Sequence, residues 1–170
     1  MVNRDLSKEE KRRLTNERQK AVRHAWKEER ELVINGKGTR DWNKAQQKEL
    51  IEKGAVCGFN GHHMKSVSLF PEYAGDSENI QFLTEEEHLH GAHKGDYHIK
   101  TNGYYNPFSK KMENFKGKSL QEVPVLELSE KLCDEEIELN AIRNEFEIIY
   151  STQIDNQHKN SYSKSQKMRM

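Results

Sequence analysis

Apolar positions recur at helical spacing in the first third of the chain and at alternate positions in its middle. Leu14, Ala21, Val22, Ala25, Trp26, Leu32 and Val33 form a narrow stripe in a run otherwise rich in Lys, Arg, Glu and Gln. That pattern predicts a long, mostly solvated helix. Ser7 with Glu10 three residues on is a capping-box start, and Asn35-Gly36-Lys37-Gly38 ends the helix after about Leu32. A shorter helix is predicted over 43–53, closed by Gly54. Val56 to Phe59 reads as a short strand, Met64 to Leu69 as irregular or extended, and Pro71 to Gly75 as a single turn. Asn79 to Leu83 is apolar on alternate positions and reads as a second strand. Thr84 with Glu87 is another capping box, so a helix should start at Glu85 and run through His88 to about Ala92. Beyond Gly95 come aromatic and turn residues. Leu128, Leu132, Cys133, Ile137, Leu139, Ile142, Phe146 and Ile149 then form the stripe of an acidic helix over 128–150. The polar, aperiodic residues from Ser151 onward read as a disordered tail.

Composition narrows this picture. Only 33% of the 170 residues are apolar and another 33% are charged, a thin core for the length. No apolar run is long enough to span a membrane, and the first residues carry no signal-peptide h-region. A cytoplasmic protein is expected, or one delivered to a target-cell cytoplasm by a non-classical route. Cys57 and Cys133 form no C-x-x-C pair and read as free thiols, with Cys57 a small core residue. The formal net charge of zero is unevenly spread. Residues 1–56 hold 15 Lys/Arg against 10 Asp/Glu, whereas residues 118–152 hold 3 against 9. The basic front could face a polyanion, although a self-solvating charged helix explains it equally well.

Chemistry concentrates between residues 61 and 93, where five of the eight histidines fall. Gly61-His62-His63 is followed sixteen residues later by Asn79, and His88 comes nine after that. The elements around them run strand, loop, strand, helix. Phosphodiester hydrolysis needs these residue types. A neutral imidazole near working pH can take a proton from water. Other imidazoles can hold a divalent cation that spreads charge from the phosphate and the leaving oxygen. An amide side chain can lock a loop through backbone hydrogen bonds. Adjacent side chains on a regular strand point to opposite faces, so both His62 and His63 reach one site only if the backbone bends, which Gly61 permits.

Gly61-His62-His63, the run from Ala74-Gly75-Asp76 to Thr84, and Glu87-His88-Leu89 resemble the GHH-type HNH (ββα-metal) nuclease domains of bacterial polymorphic toxins, including LXG- and Rhs-type proteins. Gly38-Thr39-Arg40-Asp41-Trp42 and Thr101-Asn102-Gly103-Tyr104-Tyr105 extend the likeness to roughly residues 15–128. The chain is more distantly similar to nuclease colicins. The resemblance implies an α+β fold, with a small ββα-metal core flanked by N- and C-terminal helices. It also implies His62 and His88 as metal ligands, His63 as general base and Asn79 as the loop-holding asparagine. Many relatives place a further ligand four residues after the helix histidine, but here that position is Ala92. His93 lies about 140° round an ideal helix from His88, and His90 about 160° round. Only His93 is a plausible third ligand, and only if the helix ends or bulges there. Gly91 eases that.

Each residue alone has a plainer reading. A His-His pair is often a surface coincidence, and Trp26, Trp42, Tyr104 and Tyr105 read as packing residues. Arg40, Lys65, Lys94 and His98 are placed to contact phosphate by position only. The organisation expected is a charged helix over 1–35, a nuclease domain over 36–127, an acidic helix over 128–150 and the tail over 151–170. The expected activity is endonucleolytic cleavage of DNA with little sequence preference, using one divalent ion (Zn²⁺ or Ni²⁺ as bound, Mg²⁺ or Mn²⁺ for turnover). The expected partners are nucleic acid and an acidic immunity protein docked around Arg40 and Lys65. The alternatives are a phage or mobile-element HNH endonuclease with sequence preference, or an inactive relative that serves as a binding protein.

Overall fold

The computed structural model describes residues 6–117, 119–140 and 142–143. A long helix, α1 (Lys8–Ile34), opens the chain. Ser7 Oγ accepts from the Glu10 amide, and the Glu10 carboxylate accepts from the Ser7 amide, so two orphan donors are satisfied together. A two-residue strand, β1 (Lys37–Gly38), leads to α2 (Lys44–Lys53). Asn43 and Gln46 form a second capping box, and Gly54 closes α2 in the left-handed conformation (φ 75°).

The central pair is β2 (Phe59–His63) and β3 (Ile80–Thr84), antiparallel, with His62 opposite Gln81 and His63 opposite Ile80. The first strand therefore starts where the sequence pattern ends it: residues 56–58 form a turn, and the Gly-His-His run is itself the strand. Cys57, on this turn, is exposed rather than in the core. A π-helical segment, Glu87–Ala92, follows β3. The turn-rich stretch beyond it contains a hairpin, β4 (Gly103–Asn106) with β5 (Lys111–Asn114), that the sequence pattern did not predict. β6 (Leu126–Glu127) pairs with β1. The acidic helix expected from Leu128 begins at residue 134. Phe146, Ile149 and the tail over 151–170 lie outside the described residues.

The main core lies between α1, α2 and the β2–β3 pair. Trp26 stacks on Phe82 with ring centroids 3.7 Å apart, and Trp42 meets Phe59 edge-on at 4.8 Å. Both tryptophans are thus packing anchors, each covering a large apolar area. Leu50, Ile51, Val56, Ile80, Leu128 and Leu132 complete this core. Glu29 is buried within it and accepts from Trp42 Nε1 (2.6 Å) and from the Thr39 amide and hydroxyl. A β-carbon at Gly61 would lie 2.8 Å from Val22 Cγ2. The glycine therefore lets α1 close onto the strand that carries the histidines. A smaller core of Leu83, Ala92 and Tyr105 joins the π-helical segment to β4.

Candidate metal centre

Asn79 is fully buried and ties down the loop between β2 and β3. Its Oδ1 accepts from the Lys65 amide (2.8 Å), and its Nδ2 donates to the carbonyls of Lys65 (3.1 Å) and Tyr73 (3.2 Å). The amide thus clamps both ends of the segment that leaves His63 and returns to β3.

Register places His62 and His63 on adjacent positions of a regularly paired strand, and no bend is needed. Both are buried, and both still line one cleft of about 280 Å³. His62 turns toward the π-helical segment. His63 turns toward the loop, where its Nε2 donates to the Ala74 carbonyl (3.2 Å). That bond fixes the tautomer and leaves Nδ1 as the basic nitrogen.

His88 and His93 meet His62 because of a local change of helix type. The His93 amide donates to the His88 carbonyl (3.1 Å), an i to i+5 bond. The wider π turn brings positions five apart onto one face, which an α-helix would separate. The three ring centroids form a nearly equilateral triangle: His62–His88 4.9 Å, His62–His93 5.0 Å and His88–His93 4.9 Å. One ligand nitrogen from each ring lies within 4.8 Å of the others. Gly91 has a role here, because a β-carbon on it would stand 2.5 Å from the Tyr105 ring.

The donor set fits a divalent transition metal. His93 Nδ1 donates to the Ile99 carbonyl (2.8 Å), so its Nε2 is free to ligate, as in many metal-binding histidines. His62 Nε2 is buried with no hydrogen-bond partner among the described residues. Such an orphaned nitrogen is costly unless something fills the gap. Burial, and then the neighbouring imidazoles His88, His93 and His63, push His62 well below the ordinary histidine pKa. Burial and then His93 push His88 down to about 4. Both rings are therefore neutral and ligand-competent at neutral pH. Burial also lowers His63. The bond to Ala74 opposes that shift, and the charge of Arg18 adds to it.

Two expected phosphate contacts are corrected. Arg40 forms a two-point ion pair with Glu87 (3.0 and 3.1 Å) and donates to the Phe82 carbonyl (3.1 Å). Lys65 is fully buried, with Nζ 2.7 Å from Asn102 Oδ1 and 4.3 Å from the centre of the Phe70 ring. Both are struts, and neither offers its charge to the cleft. His98 does not line the cleft either. The sequence reading missed Arg18 from α1 and Tyr97 and Lys100 from the loop after the π-helical segment, all of which do. Tyr97 packs against His88 (5.2 Å) and His93 (5.5 Å). Helical spacing on α1 could have suggested Arg18. Nothing in the pattern after Gly95 pointed to Tyr97 or Lys100.

Residues 8–84 match the family described as a GHH signature containing HNH/Endo VII superfamily nuclease toxin. The likeness to this Tox-GHH family covers just under half of the chain. The match contains His62, His63 and Asn79 and stops before His88, so it is shorter at its far end than the stretch of 15–128 expected from the motifs. Tox-GHH is described as a nuclease toxin family. The chain is also similar to teneurin-3 of Danio rerio, 36% identical over 83 residues, which are 48% of this chain and 3% of the relative. Mus musculus teneurin-3 is 37% identical over the same length, again 48% of this chain and 3% of the relative. Drosophila melanogaster teneurin-m is 35% identical over 79 residues, 46% of this chain and 3% of the relative. The chain thus spans about 3% of the length of these curated relatives. No described helix is long and apolar enough to cross a membrane.

Proposed function

We propose that the chain is a metal-dependent endonuclease of the toxin type that hydrolyses DNA phosphodiester bonds with little sequence preference. One observation carries this reading. Three imidazoles converge on one point of a cleft in which a fourth, His63, presents an unprotonated Nδ1. His63 takes a proton from the attacking water, the water oxygen bonds to phosphorus, and the bond from phosphorus to the leaving oxygen breaks. Asn79 keeps the loop closed, so the Ala74 carbonyl stays aimed at His63 and holds its tautomer. His62, His88 and His93 would hold one divalent cation, Zn²⁺ or Ni²⁺ as bound and Mg²⁺ or Mn²⁺ for turnover, which would supply positive charge to offset the negative charge that develops in hydrolysis.

In this reading residues 36–127 form the nuclease unit, α1 walls one side of its cleft, and the target is the cytoplasm of a rival cell. A producer then needs an acidic immunity protein. With Arg40 and Lys65 engaged internally, that inhibitor would have to meet the cations at the cleft mouth, Arg18 and Lys100.

Plasmid digestion across a metal series, with a chelator control and His63→Ala alongside, tests the proposal. Nicking by the wild type that is lost with the chelator and in the variant is the expected result. A wild-type protein inert on DNA with every metal would overturn it in favour of a binding protein.

A further inference from the structure

The cleft does not end at the histidines. On one side it continues into a groove lined by one face of α1, where Thr15, Gln19, Val22 and Arg23 adjoin Arg18, Gly61 and His63. Positions 15, 18, 19, 22 and 23 fall on a single helical face. On the other side lies a cavity of about 510 Å³ between the π-helical segment and the β4–β5 hairpin. Lys94, Lys100, Lys110 and Lys111 line it, and no Asp or Glu does. Arg18 is shared by the cleft and the α1 groove, and Lys100 by the cleft and the hairpin cavity. The cleft that holds the histidines thus borders each of the other two hollows through a shared side chain.

All six cations are exposed. None has an ion-pair partner among the described residues. Lys94 and Lys110 also adopt left-handed backbone conformations (φ 51° and 53°). Glycine or asparagine would take these positions at lower cost, so long cationic side chains are held there against local preference, at the rim of one cavity.

The geometry points to a two-sided phosphate track: Arg18 and Arg23 grip the DNA duplex backbone on one flank of the cut site, and Lys94, Lys100, Lys110 and Lys111 grip it on the other. This inference rests on the endonuclease reading of the central cleft. It assigns substrate binding to two elements outside the ββα core, the face of α1 and the β4–β5 hairpin. It also accounts for duplex binding by a chain of zero net charge, because the free cations line one path while the acidic excess lies at residues 118–152.

The test uses the full chain in a His63→Ala background and a fluorescent duplex of random sequence, with affinity measured across a salt series. Arg18→Gln with Arg23→Gln removes one arm, and Lys94→Gln with Lys111→Gln removes the other. Removing a single cation from the phosphate backbone should lower the slope of log affinity against log salt by about 0.9. Each double variant should therefore lose up to about two units of slope. The matching double variant Lys94→Arg with Lys111→Arg should keep the slope, which separates lost charge from a disturbed fold. Slopes unchanged in both Gln variants would overturn the track, and a change in only one would overturn its two-sidedness. Binding to single-stranded RNA but not to the duplex would overturn the duplex assignment. Plasmid nicking by the unmodified protein, run in parallel, reports on the endonuclease reading separately. Nicking with unaltered slopes means that only the track is wrong.

Discussion

The His93 amide donates to the His88 carbonyl across five residues, at 3.1 Å, and this one bond turns two side chains that an α-helix would separate toward a common point. The π turn is held by close packing: Gly91 lies against the ring of Tyr105 with no room for a β-carbon. Gly91→Ala should force the ring or the turn to move, at a cost of about 1–3 kcal/mol. Zn²⁺ affinity should fall with stability, because the His88–His93 geometry depends on the same turn. Thermal melts and calorimetric Zn²⁺ titration check both effects. Wild-type affinity in the variant would show that the turn does not set the site.

His62 and His88 of the metal-free protein should resist protonation. His88 should titrate near pH 4, with His62 also well below the ordinary histidine value. A group with a depressed folded pKa leaves the unfolded chain binding more protons between its folded value and about 6.5. Stability of the metal-free chain should therefore decline as pH falls from about 6.5 toward 4. Histidine NMR titrations and melts over that range read this directly. Midpoints near 6.5 for both rings would contradict their burial.

His63→Ala should lower cleavage by about 10²- to 10⁴-fold, the usual contribution of a positioned base, with metal content unchanged. His88→Ala should lower both metal content and cleavage. Metal analysis of the purified variants beside a nicking assay distinguishes the two roles.

Asn79→Ala removes three backbone hydrogen bonds and leaves the Lys65 amide unsatisfied in a buried setting. A loss of about 2–3 kcal/mol is expected. Hydrogen exchange should speed up first between residues 64 and 79. A variant as stable as the wild type, with that loop still protected, would mean that the asparagine is not the clamp.

Arg40→Gln should destabilise the fold without changing the salt dependence of DNA binding. Arg40 pairs with Glu87, which also caps the turn at Thr84. Burial alone would raise the Glu87 pKa, but the bonds from Arg40 and Thr84 outweigh it, and the carboxyl stays below its ordinary value. Breaking this largely buried pair should cost about 1–3 kcal/mol. A lowered salt slope in the variant would instead place Arg40 on the nucleic acid.

Several features were fixed by short-range chemistry and are legible in the sequence. The capping boxes Ser7–Glu10 and Thr84–Glu87 join residues three apart, so they mark element starts without knowledge of the fold. The order Gly61-His62-His63, Asn79, His88 is likewise legible, because residue type and spacing are read directly from the chain. Tertiary structure decided the rest. The strand register put His62 and His63 in one cleft without a bend. Helix α1, by closing on Gly61, brought Arg18 to the cleft from more than forty residues away in sequence. The electrostatic fates of Arg40 and Lys65 depended on partners at positions 87 and 102. His93 shows the boundary most clearly. Its position told against an ideal helix, and only packing of Gly91 against a tyrosine fourteen residues further on determined that the helix would widen. Local preferences act over three or four residues, whereas a helix type that costs free energy locally survives only where a distant surface compensates for it.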